Sequence, residues 1–487
     1  MIFPKKRSFI FASLFFTVLC SVANFYSPLA GAAKETVSDT SETAIQLIDT
    51  ALQQLAAQQE FAGSVLITRN GTALLRKAYG LADDAQGIPN TPDTAFGIGS
   101  ITKSFTAVLI LQLAQEGKLS VDDCVSTVIP DYPHKTITIY QLLTHTTGCP
   151  NDLSWEVINA MLQEPKPIDE ILQRDKKIFL GYETTLRFEP GTDYEYSNIG
   201  YRLLGEIIEK VDGCSYEQSL QSRIFDKLGM HNTFASYETY YQAAAHRTVP
   251  LIAQKPAYPM FAISATYDDF MQKACADGSI KSTVDDVYLW AQAVKQGTLL
   301  SPEYAALLKK PFLNNYACGL EVEQNETKSS ISHNGLISHF TSALNIINLT
   351  ASGNEIVMIL LLNNGMAPIT LNLISEILLE NKTPQLQIFD SNSSQEFCSK
   401  YAGLYEVSDE KIESEQIEPE DNNSLLFTRT GKDHWKQYIR FLYSTEHDAW
   451  GSNVFNMLYK FVVDTNGNVV GIQNLEDQDG TISKKIS

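Results

Sequence analysis

Hydrophobic positions along this chain change period several times, and each change predicts an element. Residues 42–58 repeat at helical spacing and predict an amphipathic helix. Residues 61–68 and 72–80 flank Asn70-Gly71 and form a hairpin around it. An apolar helix follows with Val108, Leu109, Leu111, Leu113 and Ala114, and Gly117 is its natural stop. From about 119 to 282 the chain is richer in helix and loop, with an amphipathic run over 199–211. Within it, 165–185 and 237–267 are long and aromatic-rich and read as loops over a cleft. Tyr240, Tyr241, Tyr258 and Phe261 there either line a substrate pocket or pack as ordinary core. Alternation appears after Ser332, through Ala343, Leu344, Ile346 and Ile347, and the apolar run over 356–362 reads as a buried strand. That predicts a pair of strands joined by a Gly-Asn turn, and 369–379 then reads as a closing helix.

The character shifts after Asn381. Residues 382–394, with Lys382-Thr383-Pro384 and Asp390-Ser391-Asn392-Ser393-Ser394, read as a linker between a domain over 40–381 and a module over 395–487. The module opens with Tyr401-Ala402-Gly403-Leu404-Tyr405 and continues as short strands over 425–429, 438–443 and 457–463, a small all-β unit. The Asp464-Thr465-Asn466-Gly467-Asn468 stretch lacks the further ligands of a calcium loop and reads as a hairpin turn.

At the other end, Lys5-Lys6-Arg7 precede an apolar run over 9–23 and the small residues Ala30-Gly31-Ala32. This is the pattern of a secretory signal peptide over 1–32, cleaved near Ala32 or Ala33, and it predicts a periplasmic or secreted protein. The competing reading is an uncleaved anchor. Cys20 follows Thr17-Val18-Leu19, a poor match to a lipoprotein signal.

At 487 residues the chain is long for one domain. Its net charge of -20 argues against nucleic acid as a partner, because phosphate contacts need clustered Lys and Arg. Seven cysteines occur, at 20, 124, 149, 214, 275, 318 and 398. They show no zinc spacing; an exported chain can pair some of them, and the plainer reading is buried small apolar residues, with Cys149 a candidate free thiol. Oligomeric state is left open.

Three short stretches carry the chemistry. Ser100 and Lys103 lie one helical turn apart where the apolar helix begins, so an amine can reach a hydroxyl at a site that favours negative charge. A desolvated lysine gives up its proton more readily and can serve as a base. Ser408 and Lys411 repeat the spacing in an acidic stretch with no apolar helix after it, and there the match is fortuitous. Tyr196-Ser197-Asn198 follows Glu189-Pro190-Gly191 and enters a helix; the phenol can carry a proton and the Asn198 amide can hold a carbonyl. His333-Asn334-Gly335 sits on an expected edge strand, where an imidazole can meet a substrate carboxylate or join a proton relay. Read singly, each stretch has a bland alternative: an N-cap serine with a solvated lysine, a core tyrosine with an N-cap asparagine, a satisfied histidine.

In this order the three stretches resemble the serine β-lactamase and penicillin-binding DD-peptidase superfamily, in particular its class C-like branch. Gln141-Leu142-Leu143-Thr144-His145-Thr146-Thr147-Gly148 and Gly278-Ser279-Ile280-Lys281-Ser282-Thr283 resemble that branch too, and the likeness spans about 45–381. The resemblance implies an α+β fold: an antiparallel sheet flanked by helices, a helical region, and here a small all-β C-terminal domain whose start resembles lipocalin-like tails of some D-peptidases and esterases.

It also implies a serine hydrolase working through an acyl-enzyme on a small-molecule or peptide substrate, with no metal or organic cofactor required. Ser100 would be the nucleophile and Lys103, Tyr196 or both the base, with Asn198, His333 and Gly335 binding substrate. The backbone N–H groups of Ser100 and Leu336 would hold the oxyanion. The third stretch departs from the Lys-Thr-Gly of class C β-lactamases. His333 in place of lysine is similar to D-amino-acid peptidases, carboxypeptidases and esterases, and a mostly neutral histidine holds a carboxylate less firmly. A D-amino-acid peptidase, carboxypeptidase or esterase is therefore expected, with a β-lactamase as the alternative and a non-catalytic penicillin- or peptidoglycan-binding protein as the alternative of another class.

Overall fold

A computed structural model describes residues 41–153, 168–244, 251–254 and 276–383, and, further on, 402–405, 412–419, 424–431, 436–444, 449–452, 457–464, 468–474 and 482–485. The signal segment, most of the linker, Ser408 with Lys411, Tyr258, Phe261, Cys20, Cys275 and Cys398 lie outside the described residues. The chain forms two compact units, one from 103–219 and 299–322, the other from 39–102, 220–298 and 323–487.

The second unit is built on antiparallel strands. In chain order they are β1 (Ala62–Arg69), β2 (Thr72–Tyr79), the short β3 (Leu81–Asp83), β4 (Ile88–Pro89), β5 (Phe96–Gly97) and β6 (Lys281–Ser282), then β7 (Glu321–Gln324), β8 (Lys328–Ile337), β9 (Phe340–Leu349) and β10 (Glu355–Asn364). The main sheet has the order β2-β1-β10-β9-β8-β7. Asn70 and Gly71 both take positive φ, 49° and 82°, the conformation a two-residue hairpin needs to match strand twist.

The unbroken apolar run along β10 buries both of its faces. Ile356, Met358, Leu360 and Leu362 join a core with Ile48 and Leu52 of helix Ser41–Ala57 and Ile374 and Ile377 of helix Ala367–Glu380. Val357, Ile359 and Leu361 are buried as well, and helix Val284–Gln296, which carries the buried Val287, Trp290 and Val294, packs on β1 and β10. The helix-flanked antiparallel sheet that the resemblance implies is present, with β8 as a third strand beside the expected pair. One expectation needs correcting: β8, which bears His333, is not an edge strand, because the short β7 lies outside it.

Towards the C-terminus this unit carries a second sheet of eight strands, β11 (Gly403–Tyr405) through β18 (Ile482–Lys484), each hydrogen-bonded to the next in sequence. Ile417 pairs with Phe427 and Phe461 with Ile472, and all four are buried. The predicted turn itself lies at 465–467, outside the described residues; on either side of it β16 (Met457–Val463) pairs with β17 (Val469–Asn474), and the Asn468 backbone N–H donates to Asp464 Oδ1 at 2.9 Å.

The first unit is helical. Helix Thr102–Gln115 is buried around nearly its whole circumference, as its continuous apolar character requires. Helix Ile139–Leu143 starts with a reciprocal cap: Gln141 N–H donates to Thr138 Oγ1 at 3.2 Å and Thr138 N–H to Gln141 Oε1 at 3.0 Å. Helix Asn198–Asp212 is capped by Ser197, whose Oγ accepts from Gly200 N–H at 3.1 Å, and it ends at Gly213 with φ 75°.

The two segments read as loops contain helix. Ile168–Arg174 and Lys176–Phe179 are short helices in the first, and Tyr237–Ala244 is a helix in the second. These helices are too short for a sustained 3.6 period, even where Ile168, Ile171 and Leu172 keep helical spacing; Tyr240 packs edge-on against Phe234 at 5.2 Å, so packing is its observed role.

Candidate active site

Ser100 lies in a single tight turn, Gly99–Ile101, that runs directly into helix Thr102–Gln115. The turn is pressed against β8. A Cβ on Gly99, whose φ is +49°, would sit 2.6 Å from the Leu336 backbone N, and a Cβ on Gly335 would sit 2.1 Å from the Ile98 oxygen and 2.2 Å from Ser342 Oγ. Backbone can approach backbone this closely only because both residues are glycine. Ser342 Oγ locks the arrangement by donating to the Ile98 oxygen at 2.8 Å. Ser100, Gly335 and Leu336, expected together from sequence, are thus brought together.

Along β8, Ile337 pairs with Phe340 across the two-residue turn and Leu336 pairs with Thr341. Bonded and non-bonded pairs alternate in an antiparallel ladder, and the pair closing a two-residue turn is bonded. Leu336 therefore directs its N–H away from β9. His333, two residues further from the turn than Gly335, is buried, and its Nδ1 lies 2.6 Å from the Asn334 carbonyl oxygen. A carbonyl only accepts, so Nδ1 carries the hydrogen; a neutral ring then offers Nε2 as an acceptor.

In the helical unit Lys103, Tyr196 and Asn198 converge. Lys103 is fully buried in the first turn of its helix. Its Nζ donates to Asn198 Oδ1 at 2.8 Å and stands 4.8 Å from the centroid of the Tyr196 ring and 5.6 Å from that of Tyr201. The Asn198 amide is oriented from both sides, since its Nδ2 donates to Asp152 Oδ2 at 3.4 Å. Asp152 in turn accepts two bonds from Arg202, at 2.7 and 3.0 Å, and the buried guanidinium lies 4.4 Å from the centre of the Phe179 ring. Burial pushes the pKa of the neighbouring phenols Tyr201 and Tyr316 well above the ordinary tyrosine value, so both stay protonated.

Sequence reasoning missed Asp152, Arg202 and Tyr316 as members of this cluster. The one available signal was Arg202 itself, a charge four residues after Asn198 within the largely apolar stretch 199–205. Asp152 lies some fifty residues earlier and has no motif of its own.

Among the described residues, no cluster of His, Cys, Asp and Glu is placed to hold a metal ion, and no helix is long and apolar enough to cross a membrane. Cys124, Cys149, Cys214 and Cys318 are free thiols. Cys149 is buried with its Sγ 3.9 Å from the Tyr132 hydroxyl, and burial pushes the Cys318 thiol up to about 12.

These features define a serine hydrolase fold, and the chain belongs to the β-lactamase family: residues 48–366 match that family's model. It is similar to PbpX of Bacillus subtilis (strain 168), named for penicillin binding, with 30% identity over 339 residues, which is 68% of this chain and 78% of that protein. Protein flp of Staphylococcus aureus (strain MW2) is 30% identical over 312 residues, 61% of this chain. The matched part spans 59% of the length of flp. Among solved structures, the D-amino acid amidase of Ochrobactrum anthropi SV3, in complex with L-phenylalanine amide, aligns with a TM-score of 0.54 and 25% identity, over 69% of this chain and 98% of the amidase.

Proposed function

We propose that this protein is an exported serine hydrolase that cleaves amide or ester bonds of D-amino-acid derivatives through an acyl-enzyme. The observation that carries the reading is the meeting of Lys103, Tyr196 and Asn198 around one buried amine. Removing an ammonium from water favours its neutral form, and a neutral amine one helical turn from a serine is a base. In the proposed reaction Ser100 Oγ attacks the substrate carbonyl as its proton passes to Lys103, Tyr196 or both. The oxyanion forms at the N–H groups of Ser100 and Leu336, loss of either of which would cost on the order of 100-fold or more. Asn198 keeps a second amide N–H for the substrate carbonyl, because only one is directed at Asp152. The leaving group takes the proton, and water then repeats the sequence to release the acid and restore Ser100.

His333 favours a substrate without a free carboxylate. Its Nδ1 hydrogen is directed at Asn334, so a neutral ring offers a carboxylate no hydrogen from Nε2. This argues for D-amino-acid amides and esters over β-lactams, and the likeness to the D-amino acid amidase supports the same class. The signal pattern over 1–32 supports export. The test is to compare turnover of D-phenylalanine amide, a D-amino-acid ester, a D-Ala-D-Ala peptide and nitrocefin by the same purified protein. Turnover of the amide or ester well above that of nitrocefin is expected; fast nitrocefin hydrolysis with inert amide and ester would refute the assignment.

A further inference from the structure

We infer that His145 is a positioning residue for Tyr196, an inference that rests on the proposed acyl-enzyme reading. His145 has a φ of +57°, in the left-handed region that non-glycine residues seldom occupy. Such outliers persist only where surrounding contacts over-determine them, and they cluster at functional sites. Here the contacts converge on one tyrosine. The backbone N–H of Glu195, just before Tyr196, donates to the His145 carbonyl oxygen at 2.9 Å. The backbone N–H of Ser197, just after it, donates to His145 Nδ1 at 3.0 Å. The imidazole also lies along the Tyr196 ring, with centroids 4.2 Å apart and planes inclined by 37°.

The clamp has a defined protonation state. Nδ1 accepts from a backbone N–H, so a neutral His145 carries its hydrogen on Nε2. The ring is itself held, 4.6 Å from Tyr316 and 5.0 Å from Tyr201, and the residue is buried. The left-handed backbone is what lets one residue use its carbonyl and its ring on two amides two positions apart. Tyr196 is thereby fixed by its neighbours in sequence and by its own ring face. Lys103, 4.8 Å from the same ring, then meets a phenol with little freedom to turn. A displacement of about 1 Å in a catalytic group can cost on the order of 100-fold in rate.

Three substitutions in the full chain separate positioning from folding. His145→Gly accepts the backbone conformation without strain and removes the Nδ1 acceptor and the ring. His145→Asn tolerates the same backbone and returns an acceptor oxygen near the place of Nδ1. His145→Ala removes the side chain and keeps the backbone strain. Thermal melts establish that each variant is folded. Single-turnover labelling of Ser100 by a fluorophosphonate, measured as a function of probe concentration, then gives the acylation rate constant and the probe affinity separately. About a 100-fold fall in the rate constant of His145→Gly and His145→Ala is expected, with affinity nearly unchanged, and at least tenfold recovery in His145→Asn. A folded His145→Gly that acylates at the wild-type rate, or a His145→Asn as slow as His145→Gly, overturns the assignment. If the wild-type protein takes no label on Ser100, the acyl-enzyme reading fails with it; wild-type labelling with an indifferent His145→Gly sinks only the clamp.

Discussion

The Lys103 ammonium nitrogen donates to the Asn198 side-chain oxygen at 2.8 Å, and Lys103 has no solvent exposure. An amide oxygen holds an ammonium less tightly than a carboxylate does, which is the relation the proposed base role of Lys103 requires. Asn198→Asp reverses that relation with almost no change of shape. The new carboxylate holds Lys103 protonated, so acylation at neutral pH should fall and its pH–rate profile should move to higher pH. Lys103→Ala should lower acylation by about 100- to 10,000-fold while the protein stays folded. Fluorophosphonate labelling across pH, beside circular dichroism, checks both. Labelling of Lys103→Ala at the normal rate would end the assignment of the amine as base.

The Asp152–Arg202 pair predicts a different signature. The Arg202 side chain is 1% exposed and Asp152 is 26% exposed, so the guanidinium is the costlier partner to strand. Asp152→Ala should destabilise the protein by about 3 kcal/mol, as measured by urea unfolding. The double change Asp152→Ala with Arg202→Met should recover part of that loss, because no charge is left buried without its partner. Additive losses in the double variant would mean that the ion pair is not coupled.

Close approach at Gly335 leads to a third expectation. A Cβ there meets backbone and a locked serine rather than a flexible side-chain end, so nothing nearby yields cheaply. Gly335→Ala should separate β8 from the turn bearing Ser100 and cost about 1–3 kcal/mol. Ser100 labelling should fall further than stability does, because Leu336 N–H moves with the strand. A stable variant with full labelling would show that Leu336 does not serve the oxyanion.

Much of this was readable from sequence, for identifiable reasons. The unbroken apolar run over 356–362 and the Asn70-Gly71 turn are local signals, and β10 and the first hairpin follow from them. Ser100, Lys103, Tyr196 and Asn198 were legible because each stands at the start of a helix, where glycine, proline and capping residues mark the chain. The rest depends on contacts distant in sequence. Asp152 becomes meaningful only beside Arg202, fifty residues away, and the His145 clamp needs a backbone angle that no residue pattern states. The outer strand β7 is four residues long and leaves too little alternation to detect, which is why β8 read as an edge.

Acid titration should expose a tie in the sheet-bearing unit. Asp49, on helix Ser41–Ala57, accepts from Lys77 and from the Tyr79 hydroxyl, both on β2. Desolvation works to raise the Asp49 carboxyl, but the combined bonds from Lys77, Tyr79 and Gln53 prevail and hold it below the ordinary aspartate value of 3.8. The sign follows from linkage: a carboxyl lowered in the folded state binds protons more weakly there than when unfolded. Its stabilisation is therefore complete above the unfolded value and is lost as pH falls through the lower folded value. Asp49→Asn should be less stable than the wild type at pH 7, and the difference should shrink steadily below about pH 4. Urea midpoints for the two proteins across that range provide the measurement. A gap that stayed constant into acid would mean the helix is fastened to β2 by packing and not by this charge.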